Sequence, residues 1–141
     1  MKKVFIPVLT LALFSYATTI KKQENKPLFE LLTQQEDGGA NIHFFEILSE
    51  PNEIGMLQND PKLKNKIRSN DIRTANFIVM NMGEKAARGY KIEIESVVET
   101  DKNIIVTKKE IIPESTKIST QEITTPYCVV KINSKKEIII K

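Results

Sequence analysis

At 141 residues, with 40% hydrophobic and 28% charged side chains, the chain is one domain or one domain with appendages, and its composition argues against wholesale disorder. Its 20 Ile, 8 Val and 11 Thr make 39 β-branched positions against 6 Ala, which favours a pleated sheet over a helical bundle. One His, one Cys and four Asp leave little for a metal cage or a His-based triad, and the formal charge of +3 is too small and too dispersed for a nucleic-acid surface.

Lys2 and Lys3 precede an apolar stretch, Val4 to Phe14, broken only by Pro7 and Thr10. Ser15-Tyr16-Ala17 then places small residues at both positions that a signal peptidase reads. The sequence therefore predicts a signal peptide over residues 1–17, cleavage after Ala17 and a periplasmic or extracellular product without a stable membrane span. A retained anchor is the alternative, since the roughly 17 residues from Val4 to Ile20 stand at the lower limit for a spanning helix. Loss of Lys2 and Lys3 lowers the net charge from +3 to +1. Cys128 is the single cysteine, so an internal disulfide is excluded; it is a buried apolar residue or an intermolecular link.

Residues 18–27 read as a flexible polar leader, and residues 28–141 as a single β-rich domain. Leu28 to Thr33 reads as a strand, Asp37-Gly38-Gly39 as a turn and Asn41 to Ser49 as a second strand. Ser49 is the expected cap of a helix opening at Glu50-Pro51, and Asp60-Pro61 restarts it, giving one short broken helix. Ala75 to Met82 has little alternation and reads as a central strand buried on both faces. Tyr90, Ile92 and Ile94 alternate with Lys91, Glu93 and Glu95, the pattern of a strand with one wet face. A turn at Thr100 to Asn103 leads into a strand from Ile104 to Ile111, which Pro113 ends. Ile118 to Ile132 has strand character interrupted by Pro126, implying a bulge or a sheet edge, and Glu137 to Ile140 is the last strand. Short turns between successive strands imply antiparallel meanders: a mainly β, antiparallel β-sandwich or half-open barrel with one short broken helix inserted (α+β).

The strand FIVMNM leads into Gly83-Glu84-Lys85-Ala86-Ala87-Arg88-Gly89-Tyr90, then the alternating strand KIEIESVV, Pro113 and the segment TTPYCVVKI. In these features the segment from Phe77 to Ile132 resembles the C-terminal domain of the PrcB family, whose name comes from a component of a surface protease complex. Residues Ser49 to Leu57 and Asn70 to Phe77 are similar to the helix and approach strand that often precede this domain. Ala86, Ala87 and Arg88 depart from the Pro, Thr and Gly of the family's loop. The resemblance implies a protein-binding role without chemistry, as a partner or assembly factor of an extracytoplasmic protease. Chagasin-type protease inhibition is a variant of that role, resting on Gly89-Tyr90 alone. An envelope structural or ligand-binding domain is a third possibility.

The candidate partner-binding loop comprises Gly83, Lys85, Arg88, Gly89 and Tyr90, with Arg88 as the exposed contact. Gly89 also suits a positive φ or a bulge, and Tyr90 shares a strand face with Ile92 and Ile94, so both equally suit a scaffold. Glu93 and Glu95 have the spacing of a glycosidase pair but read as a solvated face. His43 has no neighbouring Asp or second His, and Cys128 reads as an inert buried thiol. The expectation is a non-enzyme with no catalytic residue, no metal and no cofactor.

Overall fold

A computed structural model describes residues 26–114 and 122–141, so the expected signal peptide and most of the leader lie outside the described residues. Among the described residues, seven strands and two helices follow in the order β1 (Phe29–Gln35), β2 (His43–Leu48), α1 (Pro51–Gln58), α2 (Asp71–Thr74), β3 (Asn76–Met82), β4 (Lys91–Glu99), β5 (Asn103–Ile111), β6 (Tyr127–Ile132) and β7 (Glu137–Ile140). They form two sheets, one ordered β1-β6-β3-β2 and the other β4-β5-β7. The larger sheet is antiparallel throughout, and the smaller pairs β4 with β5 antiparallel and β5 with β7 parallel. The sandwich expectation therefore holds: among the described residues no strand pairing joins the two sheets, so they do not close into a barrel.

The simple meander is corrected. The chain crosses from β5 to place β6 between β1 and β3, then returns to lay β7 beside β5. Pro126 is neither at an edge nor in a bulge; it immediately precedes β6, opposite Met82 in the β3–β6 register, where its carbonyl accepts from the Met82 amide at 3.0 Å and its missing N–H ends the ladder.

The larger sheet is covered on both faces, which explains why its central strands do not alternate. Toward the smaller sheet, Ile78, Met80 and Met82 of β3 and Cys128, Val130 and Ile132 of β6 pack with Ile92, Ile104, Val106 and Ile138. Toward the helical layer, Phe77, Tyr127 and Val129 pack with Leu32, Leu48, Ile54, Leu63 and Ile67. All six residues of β6 are buried as a result.

The helical layer is built from short pieces. Glu50, not Ser49, occupies the cap position of α1, because Glu53 completes a capping box that takes the amides of both Ser49 (3.0 Å) and Glu50 (3.1 Å). Asp60 holds the following turn by accepting from the Lys62 amide at 2.8 Å. The expected approach strand over 70–77 begins only at Asn76; Asp71–Thr74 is a helical turn whose first residue is buried. The Asp71 carboxylate accepts from the Arg68 amide at 2.8 Å and meets the Lys131 ammonium at 3.1 Å. Lys131 also reaches Glu30 at 3.1 Å, so one buried cation joins β1, β6 and the helical layer. Lys135 makes a similar tie, donating to the carbonyls of Ser49 (2.8 Å) and Ala75 (3.0 Å).

Candidate functional site

Three connections gather at one end of the sandwich: residues 36–42 between β1 and β2, residues 83–90 between β3 and β4, and the described ends of the β5–β6 connection. The 83–90 loop carries the five residues expected from the sequence. Gly83 has φ +74, and a Cβ there would lie 2.9 Å from the His43 nitrogen, so only glycine lets this loop lie against the β1–β2 connection. Gly89 has φ +97, and a Cβ would meet the Pro113 ring at 2.9 Å. Between these glycines, Lys85 and Thr124 form a two-bond antiparallel bridge at 2.8 and 2.9 Å. The buried Thr124 hydroxyl donates to the Ala87 carbonyl at 3.0 Å.

Arg88 is exposed, and it is also tied into the fold. Its guanidinium grips the Glu122 carboxylate at both oxygens, at 2.6 and 2.9 Å, and reaches Glu36 at 3.3 Å. Planar fork-to-fork pairing of this kind fixes orientation as well as charge. Next to Glu36, Asp37 accepts from both the amide (3.1 Å) and hydroxyl (2.8 Å) of Thr125. The Thr125 and Gly38 bonds hold the Asp37 carboxyl below its ordinary value, and the Arg88 guanidinium does the same for Glu122. The sequence reading missed all three acids, because they meet Arg88 and Thr125 only through the fold.

Tyr90 is half-buried against the inter-sheet core, and the Lys85 ammonium lies 5.5 Å from its ring centroid. Beside the exposed Arg88, Glu36 and Glu122, this end of the molecule also displays aliphatic side chains. Ile42, Ile112 and Ile123 are 69%, 70% and 65% exposed. Each neighbours a residue that touches the loop: Ile42 precedes His43, Ile112 precedes Pro113 and Ile123 precedes Thr124. Isolated exposed isoleucines are ordinary, but here three of them neighbour residues that touch one braced loop.

The other candidates fall where a scaffold needs them. His43 contacts Glu110 of the opposite sheet at 2.6 Å and packs edge-on to Phe45. Glu93 pairs with Lys91 at 3.6 Å, and a β4 bulge between Ile94 and Ser96 interrupts the strand at the exposed Glu95. Cys128 is fully buried, and burial pushes its thiol up to about 12, which suppresses the thiolate needed for nucleophilic chemistry. Among the described residues, no group of three His, Cys, Asp or Glu side chains could hold a metal ion, and no helix is long and apolar enough to cross a membrane.

No curated protein and no solved structure matches the chain. Residues 76–133, which hold β3 to β6 together with the Gly83–Tyr90 loop and its Thr124 bridge, match the family described as PrcB C-terminal.

Proposed function

We propose that this chain is an exported, non-catalytic protein-binding module that acts as a partner or assembly factor of an extracytoplasmic protease. The braced loop end carries this reading: hydrogen bonds and ion pairs fix the backbone around Gly83–Tyr90, while Ile42, Ile112 and Ile123 stand out into solvent. A contact surface held this way loses little conformational freedom on binding. The PrcB C-terminal match over the same segment supports a protease as the partner's class. Inhibition of chagasin type has less support, since Tyr90 leans on the core instead of projecting.

The test is capture from an envelope extract by the purified mature protein, with mass spectrometry of what binds. An extracytoplasmic protease is the expected partner, and Ile112→Asp or Ile123→Asp should reduce its capture without lowering the melting temperature. Absence of a protease, or undiminished capture by both variants, would overturn the proposal. N-terminal sequencing of the exported form should start at Thr18; an intact Met1 would remove the cleaved-export part.

A further inference from the structure

Every open sheet offers two edge strands, and an unprotected edge invites another strand. Three of the four edges here are blunted. β1 is bulged between Leu31 and Thr33, and the Leu32 carbonyl is taken by the Lys66 ammonium. β4 is bulged between Ile94 and Ser96, and its Ile92 carbonyl accepts from the Gln34 side chain at 2.8 Å. β7 has only four residues. β2 differs: its six residues, His-Phe-Phe-Glu-Ile-Leu, keep an unbroken register with β3 and include no Pro, Lys or bulge. Among the described residues, β3 is its sole strand neighbour. Every second residue of β2 therefore turns its N–H and C=O away from the sheet.

A cleft of about 290 Å³ opens beside this edge on the helical side. Leu48, Met56, Leu57 and Val79 form its apolar lining, and Met56 is 72% exposed. The remaining lining residues are Glu46, Glu53 and Asp60, three acids with no cation among them. On a strand laid against β2, side chains two apart share one face, so residues i, i+2 and i+4 can all point toward α1.

We propose that the β2 edge receives an extended segment of a protein partner, which adds as a fifth strand to the larger sheet. Its recognised pattern is a Lys or Arg, an aliphatic residue and a second Lys or Arg at alternate positions. The aliphatic side chain enters the cleft over Met56 and Leu57, and the flanking cations meet Glu46, Glu53 and Asp60. Main-chain bonds along β2 supply strand addition, and the cleft supplies selectivity. A second copy of this chain is disfavoured as occupant, because it would bring the same acidic rim against itself. The inference rests on the reading of the chain as a protein-binding module and names how the partner is held.

The probe is a synthetic peptide, Thr-Lys-Thr-Leu-Thr-Lys-Thr, titrated into the full mature protein and followed by amide chemical shifts and fluorescence anisotropy. Shifts should concentrate on β2 and α1, and Glu46→Lys or Met56→Lys should each weaken binding at least about tenfold, worth about 1.4 kcal/mol. Both positions are exposed, so melting curves should stay unchanged. N-methylation of alternate peptide amides should abolish binding in one phase and spare it in the other, because only one edge of the added strand meets β2. Binding that ignores both variants, equal binding by both methylated peptides, or equal binding when Glu replaces Lys in the peptide would overturn the proposal. So would dimerisation through β2, detected as sedimentation that Glu46→Lys alters. Protease capture unaffected by Glu46→Lys and Met56→Lys would sink this inference and leave the proposed function standing. Peptide binding at β2 without any captured protease would do the reverse.

Discussion

Replacing Lys131 by Met tests what fastens the helical layer to the larger sheet. The Lys131 and Asp71 side chains are 8% and 3% exposed and lie 3.1 Å apart, so each charge depends on the other for its solvation. Breaking a buried pair by removing one partner costs about 3–5 kcal/mol, chiefly because the remaining charge is stranded. Asp71 keeps the Arg68 amide at 2.8 Å, and Glu30 is partly exposed and can rehydrate, which places Lys131→Met at the lower end, about 3 kcal/mol. For a domain of this size that is a fall of roughly 12 °C in melting temperature. Asp71→Asn retains an acceptor for the Arg68 amide and leaves Lys131 with Glu30, so about 2 kcal/mol is expected. The double variant removes both charges together and should lose about 2 kcal/mol, well short of the additive total of about 5 kcal/mol. Urea melts followed by circular dichroism give all three values. An additive double variant, or a Lys131→Met cost under about 1 kcal/mol, would refute the idea that this pair is desolvated and coupled.

Cys128→Ala should keep partner capture and cost about 1 kcal/mol, while the native thiol resists Ellman's reagent until the protein is unfolded. Tyr90→Ala truncates a half-buried ring, so about 2 kcal/mol is expected in a urea melt, below the 3–5 kcal/mol or so of a fully buried aromatic. Arg88→Glu should lower the melting temperature, because it sets a third carboxylate beside Glu122 and Glu36, and added salt should narrow the gap to wild type. Glu30, Asp37 and Glu122 are all held below their ordinary values of 4.5, 3.8 and 4.5, first by Asn133, Thr125 and Arg88 respectively. Carboxyls depressed in the folded state add stability above their unfolded values and lose it as pH falls through the lower folded ones. Melting temperature should therefore drop below pH 4.5, less steeply in an Asn133→Ala/Arg88→Gln variant; an identical acid slope would count against these contacts.

The sequence disclosed what local patterning controls. The unalternating FIVMNM run marks a strand covered on both faces, and the structure supplies both covers, the smaller sheet and the helical layer. The last strand, Glu137 to Ile140, lies where its apolar run put it. Its parallel pairing with β5 was not legible, since that depends on the chain changing sheets after β6 and no local residue records the crossing. The cap of α1 was misplaced by one residue because Ser49 is the better capper by type, whereas Glu53 reaches back to serve both candidate amides. Arg88 was picked out as unusual for its position, but its acids lie 34 and 52 residues away in the chain. Such partners become visible only when the loops are brought together.

Ala87 and Arg88 both take part in holding the loop, and their partners bear on where the folding unit ends. Ala87 is buried under the Thr124 hydroxyl bond, and Arg88 ties the loop to Glu122 and to Glu36. Glu36 and the exposed Ile42 lie outside the matched segment 76–133, as do β1, β2, both helices and β7. A fragment of residues 76–133 would keep β3 to β6 but bare the outer edges of β3 and β6, which carry two of the three ladders of the larger sheet. It would also lose Leu32, Leu48, Ile54, Leu63 and Ile67 from the face of Phe77, Tyr127 and Val129. Five buried aliphatic side chains at about 2 kcal/mol each amount to about 10 kcal/mol, comparable with the whole stability of an ordinary domain, about 5–15 kcal/mol. The fragment should therefore fail to fold alone, showing narrow amide dispersion and no cooperative melt, whereas residues 26–141 should melt in one transition. A cooperative melt of the 76–133 fragment would show that the larger sheet does not need its N-terminal strands.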